Sequence, residues 1–240
     1  HLQRTTRRDV SLLLALEAQR LGGGAEASSA LFSTLESAPG FLGNIGADQR
    51  APAFTSVAVT ADNHLVVGDA AGRLVQFDMA THRRLGHPVQ VGDRGEQITL
   101  LATDPAGRHL VVGLDASRAI YLFDSGALSA LRPEGGGSGL AVELADVPST
   151  IAVSADGAVA VSGRDTGTVT VLDVGTGAIR ATIPAAGGPT AVAIAPDGTL
   201  AIGSSEGITL FERDTYAPLA SFSGDGIAAG SRTSVSARAR

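Results

Sequence analysis

Hydrophobic and polar positions follow two different periods along this chain. From Asp9 to Leu21 the sequence reads DVSLLLALEAQRL. Val10, Leu12, Leu13, Ala15, Leu16 and Leu21 gather toward one side, and Glu17, Gln19 and Arg20 toward the other, which is the spacing of an amphipathic helix. Asp9 suits the N-cap, and Gly22-Gly23-Gly24 stops the helix because consecutive glycines disfavour its continuation. A second helix is expected from about Ala25 to Glu36, with Leu31, Phe32 and Leu35 as its apolar contacts, before Pro39-Gly40 ends it. Residues 1–46 thus read as an α-helical hairpin. It serves either as a structural linker packed on a neighbouring domain or as a dedicated partner-binding helix.

From Ala51 onward the period becomes two, and the pattern repeats. The four segments are TSVAVTADNHLVVGDAAGRLVQFDMAT from Thr55, ITLLATDPAGRHLVVGLDASRAIYLFDSG from Ile98, STIAVSADGAVAVSGRDTGTVTVLDVGTG from Ser149 and TAVAIAPDGTLAIGSSEGITLFERDTY from Thr190. Each holds an apolar or alternating strand, a polar turn, a second strand ending in glycine, another turn and a third strand. The first turns are Ala61-Asp62-Asn63, Pro105-Ala106-Gly107, Ala155-Asp156-Gly157 and Pro196-Asp197-Gly198. Asp-Gly is a strong hairpin signal because glycine accepts positive φ without steric cost. The second strands end at Gly68, Gly113, Gly163 and Gly203, and the third strands close on Phe77-Asp78, Phe123-Asp124, Leu172-Asp173 and Phe211-Glu212. Measured at Asp62, Ala106, Asp156 and Asp197, the spacings are 44, 50 and 41 residues. The longest gap carries Pro133-Glu134-Gly135-Gly136-Gly137-Ser138-Gly139, which reads as a flexible loop.

Antiparallel three- or four-stranded units at this period predict a mainly β fold, a β-propeller of about four blades over residues 47–222. Thr233-Ser234-Val235-Ser236-Ala237 repeats the opening strand of a unit, so 223–240 reads as the start of a truncated fifth blade. The propeller is therefore expected to be incomplete, an open arc whose unpaired end favours self-association. The start at His1, with the only methionine at Met79, reads as a fragment.

Composition narrows the chemistry. With 240 residues and 44% hydrophobic content, a packed core is expected. No cysteine is present, which removes disulfides and thiolate metal sites. No apolar run is long enough to cross a bilayer as a helix. From residue 51 onward 13 arginines face 19 carboxylates, a charge of −6 that repels phosphates, and no stripe of aromatic and basic residues offsets it. Direct nucleic-acid binding is not expected.

The four units resemble degenerate bacterial WD40 repeats, with Phe-Asp, Leu-Asp or Phe-Glu where that family has Trp-Asp. The stretch SLLLALEAQRL…ALFSTLESAPGFLGNIG ahead of them resembles the junction before the C-terminal propeller of actinobacterial multidomain signalling proteins. These include STAND-type ATPases and regulators with a bacterial transcriptional activation domain. Closed propellers of this family usually have about seven blades. No unit has the family's Gly-His dipeptide or its Trp, so the family's His–Asp–Ser/Thr–Trp tetrad cannot form. Packing and turn chemistry must hold the blades instead.

Candidate catalytic motifs dissolve into the repeat. Gly203-Ser204-Ser205-Glu206-Gly207 matches the G-x-S-x-G nucleophile pattern, but it joins two strands, and its glycines coincide with Gly68/Gly72 and Gly163/Gly167. His64 and His109 occupy one blade position, expected at a solvent edge, and no His or acid cluster has metal-ligand spacing. The glycine-rich stretches at 135–139 and 224–230 lack a phosphate-loop context, and without lysine no Walker motif can be completed. No cofactor and no metal are expected. The resemblance implies a non-enzymatic, cytoplasmic interaction module that recognises a protein partner on one propeller face, with any ATPase lying upstream. The loops between second and third strands are the expected contacts, at Asp69-Ala70-Ala71, Asp115-Ala116-Ser117, Arg164-Asp165-Thr166 and Ser204-Ser205-Glu206. Asp69, Asp115, Arg164, Asp165, Ser204 and Glu206 are the candidate residues. The alternatives are a propeller enzyme such as a sugar-lactone hydrolase, which would need polar inner strands where this chain has VAV, LLAT, IAV and VAIA, or a secreted ligand-binding propeller.

Overall fold

The computed structural model describes residues 53–93, 95–124 and 139–223, together with scattered positions between 13 and 32. The chain divides into two compact units, His1–Asp48 and Gln49–Arg240. In the first unit the described positions between 13 and 20 are helical, a turn falls at Leu21 and Gly22, and the described positions between 25 and 32 are helical again. The Leu21 N–H donates to the Glu17 carbonyl at 3.0 Å, and Gly22 takes a φ of 113°, which leaves the helical path. Leu13, Leu14, Leu16, Leu21 and Phe32 are exposed. The expected Asp9 cap and the end of the second helix lie outside the described residues.

Among its described residues the second unit has sixteen strands in four antiparallel sheets of four, each a simple meander. The first blade holds β1 (Phe54–Val59), β2 (His64–Asp69), β3 (Arg73–Asp78) and β4 (Arg84–Gln90). The second holds β5 (Ile98–Thr103), β6 (His109–Leu114), β7 (Ala119–Asp124) and β8 (Leu140–Glu143). The third holds β9 (Pro148–Val153), β10 (Ala158–Gly163), β11 (Thr168–Asp173) and β12 (Ile179–Pro184). The fourth holds β13 (Pro189–Ile194), β14 (Leu200–Ser204), β15 (Gly207–Phe211) and β16 (Pro218–Phe222). This is the incomplete β-propeller the repeats predict, with a fourth strand in every blade. The expected fifth-blade strand at 233–237 lies outside the described residues, as does the glycine-rich insertion apart from Gly139.

The opening strands β1, β5, β9 and β13 pack side by side and line the inner edge. Because strand direction alternates across each meander, the loops between second and third strands share one rim with the connections between blades. The turns between first and second, and third and fourth, strands share the other. Strand alternation gives each blade two apolar faces, and every face toward a neighbour is buried. Val66, Leu74 and Val89 of the first blade meet Ile98, Leu110, Val112 and Phe123 of the second. Val111, Ile120 and Leu122 meet Val159, Val161 and Leu172 across the next boundary. Ala160, Val171 and Ile183 meet Val192, Ile202 and Phe211 across the last. Each fully buried Leu, Ile or Val contributes about 2 kcal/mol through apolar surface removed from water.

Two local devices recur. The last position of the first turn adopts positive φ in all four blades: Asn63 at 56°, Gly107 at 66°, Gly157 at 83° and Gly198 at 89°. Three of the four are glycine, the residue for which this region carries no Cβ penalty, and the fourth is asparagine, which tolerates it better than most. Each first strand also bulges near its start, leaving Thr55, Thr99, Ser149 and Thr190 unpaired in the ladder. All four carry a hydroxyl. Thr55, Ser149 and Thr190 donate to the carbonyls of Gly68, Ser162 and Gly203 at 3.0, 3.4 and 3.2 Å. The Thr99 hydroxyl is buried without a partner. The strand-ending glycine beneath the first bulge has a packing reason: a Cβ on Gly68 would fall 2.6 Å from the Ser56 hydroxyl and into the side chain of Ile98.

Candidate functional site

The rim that gathers the loops between second and third strands is stitched together by short polar contacts. In three blades the residue after the second strand donates its N–H back to the segment leading into that blade: Ala70 to the Ala53 carbonyl at 3.0 Å, Asp115 to Gln97 at 3.0 Å and Arg164 to Val147 at 2.9 Å. In the fourth the Ser205 hydroxyl donates to the Gly187 carbonyl at 2.8 Å. Three loops therefore stand on a backbone bond and the fourth on a serine hydroxyl.

The candidate residues do not share one environment. Asp69 is turned inward and only 1% exposed. Its Oδ1 accepts the N–H groups of Ala71 and Arg73, both at 2.9 Å, and its Oδ2 accepts Arg73 Nη2 at 2.8 Å. Its carboxylate is used up in shaping the loop and does not face outward as the sequence reading expects. Asp115 is half-buried, and its Oδ1 accepts the Gln97 N–H at 3.0 Å. Arg164 and Asp165 are exposed, and Arg164 Nη1 reaches across the blade boundary to donate to the Asp115 carbonyl at 3.2 Å. Ser204 is half-buried and accepts the Glu206 N–H at 3.2 Å, leaving Glu206 exposed. The structure joins Asp115, Arg164 and Asp165 across two adjacent loops. Asp69 and the Ser204–Glu206 pair belong to other loops of the rim.

Asp146, in the connection ahead of β9, is the residue that sequence reasoning misses. It is 6% exposed and holds the third loop from beneath. Its Oδ2 accepts the N–H groups of Asp165 and Thr166 at 2.6 and 2.7 Å, and its Oδ1 accepts that of Val147 at 2.7 Å. Burial pushes this carboxyl up, but the N–H donors of Thr166, Asp165 and Val147 outweigh burial and hold it below the ordinary value. Its only sequence signal is an acid three residues before the bulge serine Ser149, a position at which no other unit has aspartate.

Beside the fourth loop opens a cavity of about 390 Å³. Ile202, Ile208, Phe211 and Phe222 make it apolar, and Ser204 and Glu206 bring polar groups to it. Gly203 through Gly207 joins β14 to β15, so the G-x-S-x-G match is a strand hairpin. Gly207, at φ 140°, is required because a Cβ there would run into the Phe222 carbonyl. The histidines differ modestly from expectation: His64 and His109 open β2 and β6 but are half-buried rather than at a solvent edge. The His64 ring meets Gln76 Nε2 at 2.9 Å, and His109 Nδ1 lies 3.8 Å from the buried Asp104. Among the described residues no group of His, Asp or Glu is arranged to hold a metal ion, and no helix is long and apolar enough to cross a membrane.

No protein-family model and no curated protein sequence matches this chain. Solved structures do. The β-propeller domain of Cps50 (Swd1) from Myceliophteria thermophila superposes with a TM-score of 0.54 at 22% identity, over 64% of this chain and 48% of that domain. The chain spans about half the length of the propeller it matches. At this identity the likeness establishes the fold alone: blades of a β-propeller.

Proposed function

We propose that this chain is a non-enzymatic, WD40-like interaction module that recognises a protein partner on the rim carrying Arg164, Asp165 and Glu206. The observation that carries the reading is the Arg164 bond to the Asp115 carbonyl, which makes the loops of the second and third blades one continuous surface. A surface held by backbone bonds and a buried carboxylate is ordered before the partner arrives, so less conformational entropy is lost on binding. The apolar cavity beside Ser204 and Glu206 adds a place for an anchoring side chain. The parent is read as a cytoplasmic bacterial multidomain signalling or transcription-regulating protein of the actinobacterial STAND type. The residues behind that reading are those of the helical stretch and the repeats.

The test is affinity capture on the isolated chain, comparing the parent with Arg164→Glu and Glu206→Arg. Both residues are exposed, so the fold should persist by circular dichroism. A protein retained by the parent in a saturable way and lost with either reversal is the expected result. Retention indifferent to both reversals, or turnover of a sugar lactone by the chain, would overturn it. For the parent protein, the gene on either side of this segment should encode a G-x-x-x-x-G-K-[ST] loop upstream. Its absence removes the ATPase part of the reading.

A further inference from the structure

The opposite rim carries a second cavity, of about 380 Å³, between the third and fourth blades. Its floor is the upper end of their shared core, formed by Ala158, Val171, Ile194 and Leu200. Tyr216, held at a φ of 52°, supplies an aromatic wall. Two guanidinium groups flank the opening. Arg213 of the fourth blade crosses the boundary to Asp156 of the third at 2.5 Å, and Arg180 bonds Asp173 at 2.5 Å. Each guanidinium is thereby balanced in charge and fixed in orientation by its carboxylate, and Arg180 also interacts with the Tyr216 hydroxyl.

Two further carboxylates lie close to Arg213. Asp214 is 88% exposed, 3.7 Å from Arg213 Nε, and Asp197, exposed on the turn ahead of β14, feels the same arginine. With Asp156 and Asp173, four carboxylates face two guanidiniums, leaving the mouth at −2. A ligand carboxylate would have to displace Asp156 or Asp173 and enter that field. An uncharged ring meets neither obstacle, and a neighbouring cation is attracted.

We propose that this inter-blade cavity docks a short partner peptide, which inserts one aromatic side chain against Tyr216 and the apolar floor and sets a basic residue beside Asp197 and Asp214. The cavity is within the size range of small-ligand sites and takes one aromatic side chain. This site is separate from the loop rim proposed above and does not depend on it.

The chain contains no tryptophan, so the indole fluorescence of a probe peptide reports binding without background. The probe is an end-blocked hexapeptide, Gly-Ser-Trp-Arg-Ser-Gly, with a version carrying Glu in place of Arg as control. Saturable binding of the first and weaker binding of the second are expected. Asp214→Arg should weaken the first about fivefold by reversing an exposed charge at the mouth. Tyr216→Ala should weaken it about tenfold by removing the aromatic wall. Arg84→Ala, exposed on the first blade, should leave it unchanged. No saturable response up to millimolar peptide would overturn the proposal. So would equal affinity for the Glu version, or indifference to both Asp214→Arg and Tyr216→Ala in a protein with unchanged circular dichroism.

Discussion

Replacing the bulge threonines by valine separates two hydroxyls that occupy the same repeat position with opposite energetics. Valine keeps the β-branched shape of threonine, so only the hydroxyl is lost. At Thr55 that hydroxyl reaches the carbonyls of Gly68 and, across the blade boundary, Ile98. A single proton serves one of them at a time, so Thr55→Val should cost about 1 kcal/mol. The Thr99 hydroxyl is buried with no partner and carries its desolvation penalty without return. Thr99→Val should therefore stabilise by about 1 kcal/mol. Thr55 stands in β1 and Thr99 in β5, strands that pack side by side, so they report on one cooperative unit. Urea unfolding followed by far-ultraviolet circular dichroism reads the difference. With a slope of about 2 kcal/mol per molar urea, the two midpoints should move about 0.5 M in opposite directions. Midpoints moving the same way would refute the assignment of Thr99 as the unsatisfied member of the set.

Asp146→Ala removes the acceptor of three backbone N–H groups and should cost about 3 kcal/mol, with faster hydrogen exchange at Asp165 and Thr166. Asp173 is held at about 2, against an ordinary 3.8, first by the Arg180 hydrogen bond and then by the Thr176 N–H. A depressed carboxyl stabilises above its unfolded value and loses that contribution as pH falls through the folded one. Acid titration of unfolding should thus show a loss between about pH 4 and 2, and Arg180→Ala should remove about 1 kcal/mol of it after solvent screening. Gly107→Ala should cost about 3 kcal/mol, because φ is 66° and a Cβ would strike the Thr60–Ala61 backbone. Gly86→Ala, at φ 60° with open space around it, should cost only about 1 kcal/mol, and thermal unfolding distinguishes the two.

What could be read from the chain was whatever repeats. Asp156-Gly157 and Pro196-Asp197-Gly198 announce their turns because only certain residues tolerate the left-handed backbone found at Gly157 and Gly198. The alternation in AVAVSG and TVTVLD marks two buried faces per strand, as β10 and β11 have. Side-chain roles that depend on pairing were not legible. Thr55, Thr99, Ser149 and Thr190 each stand near the start of their unit, yet nothing local says that the strand bulges there. Asp69 looks like any exposed loop acid, and only the Arg73 side chain and two N–H groups converging on it turn it inward. Asp146 lies in a connection outside the repeated pattern, and the equivalent positions hold Pro52, Glu96 and Gly187, so aspartate there has no echo in the other blades. The cavity between the third and fourth blades joins residues 57 positions apart, Asp156 and Arg213, which no periodicity links.

The backbone bonds that tie three of the rim loops to the segment ahead of their blades have an evolutionary consequence. A donor that every residue except proline carries does not constrain which side chain sits above it. Positions 70, 115 and 164 are therefore free to drift in charge and size while the blade beneath keeps its geometry, whereas position 205 is held to a hydroxyl. Recognition could change from one descendant to the next by single substitutions, with no compensating change in the core.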